Sequence, residues 1–154
     1  MNSLRLVVHN SIEFHSFNPF HVLYFKSNGN YCDVCLTDGG MVQNLPMSLG
    51  QMAMQIRNLL TDPSSPSFIQ LGRQYIVNAE HILSVFPAKK CLVFDILNKD
   101  KSSRNSISPS SASLLALVEW LSTGVNGKSC SVLVEEPKDP AEMAEDEIQV
   151  LNHP

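Results

Sequence analysis

"FIQLGRQYIVN", Phe68–Asn78, is the stretch on which the fold turns. Ile69, Leu71, Tyr75, Ile76 and Val77 favour burial in a β-strand, yet Arg73 sits among them beside Gly72. In one regular strand Ile69, Leu71, Arg73, Tyr75 and Val77 would share a face, because side chains alternate with period two. That arrangement buries a guanidinium, which is costly unless it is paired. Gly72 offers relief, since an isolated glycine in a strand marks a bulge that re-aims the next side chain. Read from the residues alone, Arg73 is either a structural arginine that snorkels or pairs with a buried carboxylate, or a side chain turned out of the sheet.

Strand signals extend outward in both directions. Upstream, "HVLYFKS", "NGN", "YCDVCLT" and "DGG" predict an antiparallel meander near 21–27, 31–37 and 41–45. Asn28-Gly29 and Asp38-Gly39 set its turns, because Asn, Asp and Gly tolerate positive φ. "LRLVVH" (Leu4–His9) predicts an earlier strand. Between the meander and Phe68 lies a helix. Ser48 caps it with Gln51 as capping-box partner, and Leu49, Met52, Ala53, Ile56, Leu59 and Leu60 form its apolar stripe. "TDPSSPS" (Thr61–Ser67) ends it. Downstream come "FIQL", "RQYIVN", "HILSVF", a turn at Pro87–Lys90, "CLVFDIL", a polar and mostly basic loop over Asn98–Asn105, and a brief "SIS" strand. A second helix is predicted from Ser111 to Thr123, with Leu114, Leu117, Val118 and Leu121 on one side and Gly124 just after its end. No internal repeat is evident. "SCSVLV" reads as an extra edge strand within 125–134, and 135–154 as an acidic, disordered tail in which "AEMAEDEIQVL" could form a frayed helix.

Composition narrows the function classes. Apolar residues make up 44% and charged residues 17% of 154, the profile of one globular domain. No apolar run approaches the roughly 20 residues of a membrane span, and the N-terminus lacks the apolar core of a secretory signal. A cytoplasmic protein with free thiols is expected. The net charge of −4 comes from 15 acids and 11 bases, and it is unevenly placed. Residues 135–154 hold seven acids and one base, which leaves eight acids and ten bases before them: a body at +2 and a tail at −6. A body at +2 permits phosphate binding without requiring it. The tail is either a solubilising end or a self-inhibitor competing with phosphate for the basic loops.

Motifs of catalysis are missing. There is no nucleotide-binding glycine loop and no nucleophile elbow, and no nucleophile–base or carboxylate pair can be named, so an enzyme is not expected. Cys32-Asp-Val-Cys35 has redox or metal spacing. Inside a strand, however, positions i and i+3 face opposite ways, so the two sulfurs cannot share a zinc or close an unstrained disulfide. His9, His15, His21 and His81 have no ligand spacing, and no metal or cofactor is expected.

Three segments in order, "VLYFKSNGNYCDVCLTDG" (Val22–Gly39), "SLGQMAMQIRNLL" and "FIQLGRQYIVNAEHILSV" (Phe68–Val85), resemble the LytTR DNA-binding domain, the output module of many bacterial response regulators. The similarity runs over roughly 17–123, giving a LytTR-like domain at 17–124 after an N-terminal extension at 1–16. The resemblance implies a mainly β fold, small antiparallel sheets packed in an elongated sandwich with two short helices. It also implies a transcriptional regulator that inserts loops rather than a recognition helix into grooves of double-stranded DNA. The implied contacts are Lys26, Asn28, Asn30 and Tyr31 around the first tip, Arg73 and Gln74 at the second, and Lys101, Arg104 and Ser108 in the third region. Amides suit adenine edges and Lys or Arg suits phosphate or guanine. Two positions depart from the family pattern. Lys26 replaces a usually acidic residue, and Pro109 stands where a contacting Arg is expected. Residues 1–16 are too few for a receiver, so the expected input is an upstream signalling protein, expression level or oligomerisation, with a homodimer on paired DNA repeats. The rival reading is a degenerate LytTR fold that works as a protein-interaction module through a sheet edge.

Overall fold

The computed structural model describes residues 5–96, 105–125, 144 and 146–152. Strands β1 (Leu6–His9) and β2 (Phe14–Phe17) form a hairpin, followed by the meander β3 (Val22–Asn28), β4 (Tyr31–Leu36) and β5 (Met41–Leu45), then helix α1 (Leu49–Leu59). A second series follows: hairpin β6 (Phe68–Leu71) and β7 (Tyr75–Asn78), then β8 (Ile82–Phe86), β9 (Cys91–Phe94) and β10 (Ser106–Ile107), then α2 (Ser111–Val125). Strand β11 (Ile148–Val150) comes last. The expected mainly β architecture with antiparallel sheets and two helices is what the chain adopts.

The middle layer is a six-stranded antiparallel sheet ordered β11-β6-β7-β3-β4-β5. Its side chains alternate between two cores. Phe25, Val34, Phe68 and Ile76 pack with Met52 and Ile56 of α1 and with Leu6, Val8 and Phe17 of the β1–β2 hairpin. Tyr24, Ile69, Leu71 and Val77 face the other way, against Leu92 and Phe94 of the sheet β10-β9-β8 and Leu114 and Leu117 of α2. Cys32 and Cys35 fall into opposite cores, as strand periodicity requires.

Gly72 makes a turn instead of a bulge. Leu71 pairs with Tyr75, so "FIQL" and "YIVN" are two strands, and Gly72 takes φ 58° in the turn between them. Arg73 and Gln74 complete that turn and are exposed. The single-strand pattern fails because a glycine in the left-handed region lets the chain reverse there.

Helix α1 carries the predicted capping box: Gln51 N donates to Ser48 Oγ (3.2 Å) and Ser48 N donates to Gln51 Oε1 (2.9 Å). Leu59, assigned to the stripe by periodicity, stands 40% exposed at the last turn. Helix α2 continues to Val125 and takes in Gly124, so that glycine does not end it. Strand β2 escaped the sequence reading, because "FHSF" has neither a β-branched residue nor clean alternation. The tail reading also changes. Ile148–Val150 pair with Leu71–Ile69 as the outermost strand, and Leu151 is buried. Acid-rich composition hid a short Ile-Gln-Val segment that extends a waiting edge. The possible strand in 125–134 lies outside the described residues, apart from Val125 in α2.

The chain is internally repeated, contrary to the sequence reading. Asn18 and Asn78 each cap a 3₁₀ turn, accepting from Phe20 N and Glu80 N respectively at 3.0 Å. Each turn leads into a strand with the same bulge near its start, between Val22 and Tyr24 in β3 and between Ile82 and Ser84 in β8. Thr37 N donates to His21 O, and Asp95 N donates to His81 O. "LPMS" ahead of α1 matches "ISPS" ahead of α2, where Ser113 N donates to Ser110 Oγ (3.2 Å). Each half thus reads hairpin, 3₁₀ turn, three strands, helix. The halves join because β3 of the first pairs with β7 of the second.

Candidate nucleic-acid interface

Two hairpin tips meet at one end of the middle sheet. Antiparallel pairing sets Lys26 of β3 opposite Tyr75 of β7, so the β3–β4 turn and the β6–β7 turn project side by side. Ser27 N donates to Gln74 O (2.8 Å), which fastens one tip to the other. The first turn is Gly29-Asn30, between the pair Asn28 and Tyr31. Gly29 has φ 63° while Asn30 stays outside the left-handed region, the pattern of a turn that needs glycine only at its first position.

Lys26, Asn28, Asn30, Tyr31, Arg73 and Gln74 are all exposed at this end. Arg73 is therefore not sealed in the core. Asn30 and Gln74 present side-chain amides that make no hydrogen bond among the described residues, and Tyr31 shows about half of its surface. Asn28 differs. Its Nδ2 donates to Asn44 Oδ1 (2.7 Å) and approaches Asp33 Oδ1 (3.4 Å). A carboxylate oxygen only accepts, so Asp33 fixes the amide with nitrogen inward. The same Asp33 oxygen accepts from Asn44 N (2.8 Å), and Asn44 holds φ 59°. Asn28 thus anchors the tip, and its donor is not available for a two-point contact with an adenine edge. Sequence reasoning missed Asp33 and Asn44. The signal for Asp33 was its place across the hairpin from Lys26.

A cleft of about 320 Å³ opens beside Lys26 and Tyr75, with Asp33 on one wall and Ser106 and Ser108 on another. It brings the third expected region to the same surface through Ser108, which is exposed. Pro109 is buried just ahead of the Ser110 cap of α2, so it shapes the helix entry. Lys101 and Arg104 lie outside the described residues. The turn has an acidic neighbour. Gly72 N donates to Glu147 O (2.7 Å), which sets Asp146 and Glu147 beside Arg73 at the start of β11.

Cys32 and Cys35 in this sheet are both buried. Burial, reinforced by the charge of Asp33, pushes the Cys32 thiol up to about 12, so the nucleophilic thiolate is suppressed. Among the described residues no group of His, Cys, Asp and Glu is arranged to hold a metal ion, and no helix is long and apolar enough to cross a membrane.

No family model matches the sequence, and no curated protein matches it. Among solved structures the chain is similar to the LytTr DNA-binding domain of a protein described as a methyl-accepting/DNA response regulator from Bacillus cereus. The TM-score is 0.50 at 14% identity, over 76% of this chain and 95% of that one. At that identity the likeness is one of backbone architecture. The chain has the fold of a LytTR DNA-binding domain.

Proposed function

We propose that the chain is a DNA-binding regulator that presents the β3–β4 and β6–β7 turns to double-stranded DNA. The observation that carries this reading is the bond from Ser27 N to Gln74 O, which holds two polar tips at one end of a rigid sheet. Lys26 and Arg73 neutralise phosphates and set register, while Asn30, Gln74 and the Arg73 fork reach base edges. Tyr31 and Ser108 flank them, with Lys101 and Arg104 as further phosphate contacts. Asn28 stiffens the tip through Asn44 and Asp33. The described surface supplies binding groups, and the regulator acts by occupancy in the cytoplasm. An upstream signalling protein is the input, and paired repeats bring two copies together.

Gel retardation of random and genomic duplexes by the full chain, over a range of salt, tests the reading. Arg73→Ala should weaken binding by about 1–3 kcal/mol if the guanidinium reads a base. If it touches phosphate alone, the loss is uniform across sequences and the salt slope falls by about one unit. A variant that binds every duplex as well as the wild type removes Arg73 from the interface. The competing protein-interaction reading is favoured by the tied-down amide of Asn28 and by buried Pro109. No retardation at low salt selects it.

A further inference from the structure

The repeat leaves one of its own joints unmade. Within the chain, β3 of the first half pairs with β7 of the second, and polar clamps reinforce the joint. Asn78 Nδ2 donates to Pro19 O (3.2 Å) and Val22 O (2.9 Å), and His81 Nε2 donates to Phe20 O (2.7 Å). The corresponding strands are β8 for β3 and β2 for β7. Among the described residues both are sheet edges, and they belong to layers on opposite sides of the middle sheet, so they cannot meet inside one chain. The relation between halves is therefore not a closed two-fold, and repeating it leads to the first half of another molecule.

The groups needed for that second joint are in place. The Asn18 amide nitrogen and the His21 ring, counterparts of the Asn78 and His81 clamps, have no hydrogen-bond partner among the described residues. Leu83 is 61% exposed, although its counterpart Leu23 is fully buried. Phe86 on β8 and Phe14 on β2 are also exposed. An open edge with apolar side chains is a template for strand addition.

We propose that β8 of one molecule pairs antiparallel with β2 of a second copy, so that copies associate head to tail. The internal joint sets the register. Tyr24–Val77, Phe25–Ile76 and Lys26–Tyr75 translate into Ser84–Phe17, Val85–Ser16 and Phe86–His15. Asn18 and His21 then reach the carbonyls of Ala79, Ile82 and Glu80 on the neighbour. Arg5, whose Nη2 donates to Ser16 O (3.0 Å), swings off the edge as the strands meet. The contact is short, so it is weak in dilute solution and strengthens when copies are held close together. The proposal does not depend on DNA binding.

Disulfide trapping tests pairing and register in the full chain. Phe86→Cys and His15→Cys are made as separate variants in a Cys91→Ser, Cys130→Ser background, then mixed and oxidised. The expected product is a mixed dimer whose disulfide maps to positions 15 and 86. Its yield should exceed by about tenfold that of Phe86→Cys mixed with the exposed control Ile12→Cys. Dimers from Phe86→Cys alone would show β8 meeting β8 and overturn the head-to-tail arrangement. Equal yields with the Ile12 control, or no cross-link in concentrated protein, also overturn it. Wild type should gain mass above 17.1 kDa with concentration in sedimentation, and Phe86→Lys should lose that gain.

Discussion

Asn78→Ala should be among the more destabilising single changes in this molecule, and its counterpart Asn18→Ala should be mild. Asn78 is fully buried and makes three hydrogen bonds, donating to Pro19 O and Val22 O and accepting from Glu80 N. Each contributes about 1 kcal/mol net, and the carbonyls left behind are shielded from water, so alanine should cost about 3–4 kcal/mol. Asn18 accepts only from Phe20 N at a partly exposed cap, where alanine costs about 1 kcal/mol. With a urea slope of about 2 kcal/mol/M, the midpoints should fall by about 1.5–2 M and about 0.5 M respectively. Asn78→Asp keeps the acceptor and removes both donors, so it should do no better than alanine. Equilibrium urea denaturation followed by circular dichroism reads all three. Equal shifts for Asn18→Ala and Asn78→Ala would refute the argument that the second asparagine clamps the two halves.

Two further outcomes follow from the sheet and its edge. Asp146→Asn with Glu147→Gln removes two carboxylates beside the Arg73 turn while keeping the Gly72–Glu147 backbone bond; DNA affinity at low salt should rise by about fivefold and the gain should vanish in high salt, and an unchanged affinity would show that these acids do not oppose the duplex. Raised from 9.0 to about 12, the Cys32 thiol should carry about a thousandfold less thiolate than an ordinary cysteine at pH 8. Mass-mapped alkylation of the folded protein should therefore modify half-buried Cys91 well before Cys32, and comparable rates at the two would contradict the burial argument.

The parts legible in the sequence are those whose cause is local. Asn28-Gly29 marks a turn because of backbone freedom at Gly29, and Ser48 with Gln51 marks a helix start through two reciprocal bonds. The first exposed tip was readable on the same grounds; the second was not, because the residues around Gly72 read as a bulged strand, and only the resemblance put Arg73 on the same surface. What stayed hidden depends on partners distant in sequence. Asn28 looks like a free amide until Asn44 and Asp33 are folded against it. Strand β11 exists because β6 offers an edge, a fact that its acidic surroundings do not carry. Gly72 fits a bulge or a reversal equally well, and the pairing of Leu71 with Tyr75 decides between them. The repeat retains little beyond an asparagine, a histidine, a leucine and a capping serine at matching places, because its two copies pack against different neighbours.

The middle sheet is shared property: three of its strands come from before the Thr61–Ser67 loop and three from after it. A chain cut in that loop gives two pieces, each with a raw edge the other was shaped to cover. Neither piece should hold its structure alone, yet mixed they should reassemble, which makes the loop a natural place to build a split reporter.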